Sequence, residues 1–200
     1  GPSTGGVNFP AMHPAGDIVA CVTGATDLAP GDTNDAWDVY LLGCKVGVLA
    51  CHGASAACPC ANQGAEGAGC ASSAGFGARL VAQGRAALSA DTLSLSVAGL
   101  PPDSVAQLYC GQPSAGSGTP FGDGVRCFGA PYSASAPRRA IGGMARFGFG
   151  VAGDLALSQL GQVQYSPESR HYQVRYRDPA PHCGPATFNF SAALRVEWAP

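Results

Sequence analysis

Charge is the first thing this chain has little of. Asp, Glu, Lys and Arg make up 12% of its 200 residues, against about 25% in ordinary globular chains. Lysine occurs once, at Lys45, and every other cationic side chain is an arginine. The formal net charge is −2 and no basic cluster exceeds Arg138-Arg139, so the electrostatic footprint of a nucleic-acid binder or of an anionic-membrane binder is missing. Long apolar runs are missing as well, and none approaches the roughly 18 residues of a membrane span. The N-terminus has neither a positive n-region nor an apolar h-region, so the chain is expected to be already processed or expressed without its signal. What it has in excess is 29 glycines, 16 prolines and nine cysteines.

The cysteines are the most informative feature. Cys44, Cys51, Cys58, Cys60 and Cys70 crowd one short segment of small residues, a density that belongs to disulfides formed outside the reducing cytosol. A secreted or cell-surface protein is expected. The run Cys58-Pro59-Cys60 followed by Cys70 invites a zinc reading, with Cys44, Cys51 and His52 as further ligands. Paired structural zinc ligands are, however, usually separated by about two to four residues, and one residue between Cys58 and Cys60 is a poor chelate. A disulfide framework is therefore expected, drawn from Cys44, Cys51, Cys58, Cys60, Cys70, Cys127 and Cys183. Cys51-His52 lacks the second cysteine that haem attachment requires.

Three zones follow along the chain. In residues 1–43, Ile18-Val19-Ala20-Cys21-Val22 and Trp37-Asp38-Val39-Tyr40-Leu41-Leu42 read as two strands around an acidic turn. Such a pair is marginal alone in water and must pack on something else. Residues 44–77 form a Cys/Gly/Ala-rich connector with little apolar surface, so order there has to come from crosslinks. In residues 78–200, period-two alternation recurs at Arg79–Ala82, Thr92–Val97, Ala106–Tyr109, Ala145–Phe149, His171–Tyr176 and Leu194–Trp198. Turn clusters such as Gly122-Asp123-Gly124 separate these runs, and only Asp154–Gly161 offers a short helical alternative. The expected fold is all-β, an antiparallel β-sandwich of jelly-roll type carrying a small N-terminal β segment and a stapled connector.

Two stretches carry resemblances. "ATDLAPGDTNDAWDVYLL", Ala25 to Leu42, resembles one blade of the WD-like β-propellers of bacterial secreted proteins, although no second copy occurs in these 200 residues. "CPCANQGAEGAGC", "FGDGVRCFGAP" and "YQVRYRDPAPHCGPATFNFSAALRVEW" resemble a recurrent C-terminal domain of large secreted bacterial surface proteins. That resemblance implies an extracellular β-domain in which Cys127 pairs with Cys183 and Cys60 with Cys70. Cys110 departs from the pattern. With Cys21 it is left unassigned, and an odd total leaves one thiol free or intermolecular.

Candidate chemistry is sparse. Gly148 to Gly153 fits G-x-G-x-x-G but lacks the strand–helix–strand context of a dinucleotide site. His13, His52, His171 and His182 are scattered, and chain adjacency to cysteine does not make a nucleophile–base pair. Glu168 and Glu197 are too isolated to form an acid/base pair. Asp27, Asp32, Asn34, Asp35 and Asp38 are closely spaced hard oxygen ligands, a candidate structural calcium site, with turn-forming hydrogen bonds as the competing explanation. Tyr165, Tyr172, Tyr176 and Trp198 are candidates for an aromatic platform that binds sugars, with core packing the stronger reading. Asn189-Phe190-Ser191 meets the glycosylation sequon.

No catalytic set emerges, so an enzyme is not expected, and no cofactor beyond that calcium. The first functional expectation is an extracellular structural or assembly subunit that associates with copies of itself or other extracellular proteins by strand addition. The second is a carbohydrate-binding or adhesive module of a larger secreted protein. The third is a hydrolase whose acids are assembled by folding. Exposed tyrosines would favour the second over the first.

Overall fold

The computed structural model describes residues 7–12, 18–24, 36–43, 46–54, 58–114, 118–180 and 182–200. Its strands, in chain order, are β1 (Val7–Met12), β2 (Ile18–Thr23), β3 (Asp38–Gly43), β4 (Val48–Cys51), β5 (Arg79–Gln83), β6 (Ser94–Ala98), β7 (Val105–Pro113) and β8 (Thr119–Phe121). β9 (Gly124–Arg126), β10 (Phe128–Ala134), β11 (Arg138–Arg139), β12 (Met144–Gly148), β13 (Glu168–Arg177), β14 (Phe188–Phe190) and β15 (Ala193–Trp198) complete them, with a short 3-10 turn at Pro59–Ala61 and an α-helical turn, α1 (Leu157–Leu160). The fold is all-β and antiparallel, as its alternation predicts. Two compact units are present, Gly1–Lys45 and Val46–Pro200.

In the first unit β1, β2 and β3 form an antiparallel sheet in that order. The two strands read from the sequence pair from Ile18 opposite Gly43 to Thr23 opposite Asp38, and β1 adds a third that the sequence reading missed. The acidic turn carrying Asp27, Asp32, Asn34 and Asp35 lies outside the described residues; Asp38 opens β3.

The second unit is built on a sheet ordered β10-β7-β13-β15-β4. Strand alternation sorts its side chains. On β13, Tyr172, Val174 and Tyr176 point inward, joined by Ala106, Leu108 and Cys110 of β7 and by Leu194, Val196 and Trp198 of β15. Facing them, the sheet β12-β6-β5 contributes Phe147, Leu95, Val97 and Leu80, and α1 adds Leu157 and Leu160. Two antiparallel sheets thus bury one apolar core. Each large aliphatic side chain sealed there contributes roughly 1.5–3 kcal/mol. Tyr172, Tyr176 and Trp198 are at most 1% exposed, so these three are core side chains and not a sugar platform: period two puts them on the inner face.

The outer face of the same sheet is covered differently. The Cys-rich segment from Val46 onward belongs to this unit, and β4 enters the sheet beside β15 with Cys51 opposite Ala193. Disulfides join Cys51 to Cys127, Cys58 to Cys70 and Cys60 to Cys183. The pairings implied by resemblance are therefore replaced. Cys127, hydrogen-bonded to Gln173 and His171 on the outer face of β13, meets Cys51, which β4 places opposite Ala193, with Cα atoms 6.1 Å apart. Cys60 is turned away from Cys58 and Cys70 by its left-handed backbone, φ 47°, and reaches the 182–184 segment instead. Cys44 lies outside the described residues. Among the described residues Cys110 is the free cysteine, and it is buried.

Small residues explain how the layer lies so close. A Cβ at Gly53, Gly64 or Gly77 would collide with the carbonyl of Gly69, and one at Gly69 with the carbonyl of Phe190. Side-chain amides then pin this layer to the sheet. Gln173, fully buried, donates to the carbonyls of Val125 and Ser191, each at 2.8 Å, and accepts from the Cys127 N–H at 2.9 Å. Asn62 donates to Ala71 and Asp123 carbonyls at 2.7 and 2.8 Å. Asn189, also fully buried, donates to the Ala71 carbonyl at 3.1 Å. The sequon asparagine is thus a structural group, closed to glycosylation in the folded chain.

Candidate binding cleft

One end of the sandwich opens into a cleft of about 290 Å³ between β7, β10, the start of β13 and the 161–165 segment. The sequence dictates its far wall. Leu157 and Leu160 anchor α1 in the core, and the Ser158 N–H donates to the Asp91 carboxylate at 2.8 Å. The turn ends at Gly161, where a Cβ would lie 3.0 Å from the Tyr172 hydroxyl and 3.1 Å from Cys110 Sγ. A side chain here would press on the core, and glycine avoids that.

Arg170 then clamps the segment that follows. Its Nε donates to the Gly161 carbonyl at 2.7 Å and a terminal nitrogen to Gln162 at 3.4 Å. The same guanidinium forms an ion pair with Glu168, whose other oxygen accepts the Gln164 N–H at 3.3 Å. Both charges are largely buried, so neither is left without a partner in low dielectric. This fixed segment presents Tyr165 to solvent, 64% exposed, and Tyr132 of β10, 55% exposed, lines the same cleft. Gln112, Gln162, Gln164 and Glu168 line the space between them.

The chemistry available there is recognition by hydrogen bonds and ring faces. Amides offer donors and acceptors together, and tyrosines offer apolar faces with a polar tip. Cys110 also borders the cleft, but burial pushes its thiol up to about 12, only partly offset by the Tyr172 hydroxyl and the Arg170 charge. It is a thiol and not a thiolate at neutral pH, so it is no ready nucleophile. Burial also raises the Tyr172 phenol well above its usual range, and its hydroxyl donates to the Leu157 carbonyl at 3.0 Å.

Of the residues singled out from sequence, Tyr165 and Glu168 come together at this cleft. Glu197 lies elsewhere, exposed and paired with Arg195. His171 is buried with Nδ1 2.7 Å from the Cys127 carbonyl; a carbonyl only accepts, so this nitrogen carries the proton. Burial, against the pull of that carbonyl, lowers the pKa of His171. The ligand atoms of Cys60, His182 and Cys183 lie within 4.8 Å of one another, yet the two sulfurs are bonded together and offer no thiolate while that bond stands. Sequence reasoning missed Tyr132, Gln112, Gln162, Gln164 and Arg170. The usable signal was the polar run Gly161-Gln162-Val163-Gln164-Tyr165, where a large aromatic ends a segment too polar to be a core strand.

No family model matches this chain, and no curated protein or solved structure does either. No helix among the described residues is long and apolar enough to cross a membrane.

Proposed function

We propose that this chain is a secreted saccharide-binding module in which Tyr132 and Tyr165 flank the sugar and Gln112, Gln162, Gln164 and Glu168 hydrogen-bond its hydroxyls. The observation that carries this reading is the pair of exposed tyrosines on a rigid, amide-lined cleft. Exposed aromatics held by buried, fully paired supports form a preorganised surface, which lowers the entropy lost on binding. Disulfides and low charge fit an extracellular setting. With Cys110 protonated and Glu168 tied to Arg170, the cleft recognises and does not catalyse.

Calorimetric titration with a panel of neutral and acidic oligosaccharides tests this. Binding is expected, weakened about tenfold, or roughly 1.4 kcal/mol, by Tyr132→Ala and by Tyr165→Ala separately. Binding unaffected by both substitutions removes the cleft from the account.

A second reading, self-association, draws on β4. Its one strand partner among the described residues is β15, and Val48 and Leu49 are 59% and 40% exposed. An unpaired edge with exposed apolar side chains is a template for strand addition. Light scattering decides it: a 20.0 kDa mass that persists at high concentration rejects association.

A further inference from the structure

A second groove, of about 320 Å³, crosses the outer face of the main sheet and is lined by Val105, Gln107, Arg175, Arg177, Thr187 and Phe188. Its arginines lack a carboxylate partner among the described residues, as do several others on the surface. Among the described residues the ion pairs are Arg138 with Asp154, Arg170 with Glu168 and Arg195 with Glu197. Among the described residues Arg175 and Arg177 have no such partner, nor does Arg126 on the neighbouring β8–β9 hairpin, nor do Arg79, Arg85, Arg139 and Arg146, which do not line the groove. Two neighbouring carboxylates are withdrawn: Asp178 is fully buried and bonded to Ser73, and Asp123 is 1% exposed.

Aromatic rings flank Arg175 and Arg126 without neutralising them. The Arg175 guanidinium lies 4.2 Å from the Phe188 ring centroid. Phe188 stands edge-on to Phe121 at 5.2 Å, and Arg126 lies 5.7 Å from Phe121. Phe121 is 48% exposed. Stacking leaves the N–H edges of a guanidinium free, and that planar fork matches a carboxylate or sulfate group. Side-chain contacts run between the groove and the cleft. Tyr132 touches Tyr109 at 6.1 Å between ring centroids, and the Tyr109 hydroxyl donates to Gln107 at 3.1 Å. From Gly111, opposite Tyr132, to Val105 is six steps along β7, about 20 Å of strand, a distance that an extended chain spans and one sugar does not.

We infer that the ligand is an acidic polysaccharide whose carboxylate or sulfate groups are taken by Arg126, Arg175 and Arg177 while its neutral ring faces occupy the Tyr132–Tyr165 cleft. This rests on the saccharide reading above and adds the charge of the ligand. A chain of net charge −2 has no general attraction for polyanions, so a preference for them must come from a local site.

The test compares dextran, dextran sulfate and oligogalacturonate as ligands of the intact protein in low and high salt. Dextran sulfate or oligogalacturonate should bind at least tenfold more tightly than dextran, and whichever does so identifies sulfate or carboxylate as the group taken. Salt should erode that advantage, and Arg175→Gln/Arg177→Gln should abolish it while leaving dextran affinity within twofold. Arg126→Gln, on a separate hairpin, should reduce it alone and guards against misfolding of the double variant. Equal binding of all three ligands, or an unchanged preference in both arginine variants, overturns the acidic assignment and leaves the cleft reading intact. Binding of none removes both.

Discussion

The main sheet of this protein buries its two faces by opposite means. Inward, Tyr172, Val174 and Trp198 meet Leu95, Val97 and Phe147 in an apolar core. Outward, Gln173, His171 and Asn189 lie under a layer of glycine, alanine and disulfides. The inner face is held by a non-directional force that tolerates repacking. The outer face is held by covalent links and by hydrogen bonds that tolerate no missing partner. A segment poor in large side chains can thus be ordered firmly, and surface that would otherwise be filled with apolar bulk is left for arginines and aromatic rings.

Breaking the crosslinks should separate the faces most sharply. The Cys51–Cys127 and Cys60–Cys183 bonds close sequence separations of 76 and 123 residues, and loop entropy makes each worth about 4–5 kcal/mol. After reduction, hydrogen exchange should accelerate over residues 51–77 and 119–128 while amides of β6 and the centre of β13 remain protected. Simultaneous loss of protection in β6 would mean the two faces form one cooperative unit. Next in size, Trp198→Ala should cost about 3–5 kcal/mol in urea unfolding, with the outer disulfides intact by mass spectrometry. A loss under 1 kcal/mol would show that the inner core is not what the packing implies.

Gln173→Leu attacks the outer face without touching a cysteine. It strands the carbonyls of Val125 and Ser191 and the Cys127 N–H, for an expected loss of about 2–3 kcal/mol. A near-neutral result would leave the disulfides as the sole support. The smallest effect is the pH response of His171. Its pKa is lowered in the folded state, so the unfolded chain takes up the proton first as pH falls. Stability contributed by the neutral ring is present above about pH 6.5, the ordinary histidine value, and is lost as pH falls below it toward the depressed folded value. The urea midpoint should therefore drop between pH 7 and pH 5, and His171→Gln should flatten that drop.

The inner face was the legible half of the molecule. Leu93, Leu95 and Val97, or Leu194, Val196 and Trp198, announce strands because a half-buried strand must alternate, and the one short helical alternative contains α1. The outer half was opaque for physical reasons. β10 contains Gly129 and Pro131, which break any strand alternation, although an edge strand tolerates proline. β4 and β14 are too short to show a period. Disulfide partners are set by where the backbone turns, which spacing does not encode. Tyr165 could be named from sequence, but which of four aromatics is exposed depends on the inward phase of β13 and β15, and Tyr132 was hidden in the unrecognised β10.

The most direct test of where binding resides is a chemical-shift map of isotope-labelled protein titrated with an acidic oligosaccharide. The account predicts shifts at Tyr132, Gln162, Gln164 and Tyr165 continuing through Tyr109 and Gln107 to Arg175 and Arg177, with Leu95, Val97 and Val174 unmoved. Shifts confined to β4, or absent from the cleft while the ligand binds, would contradict it.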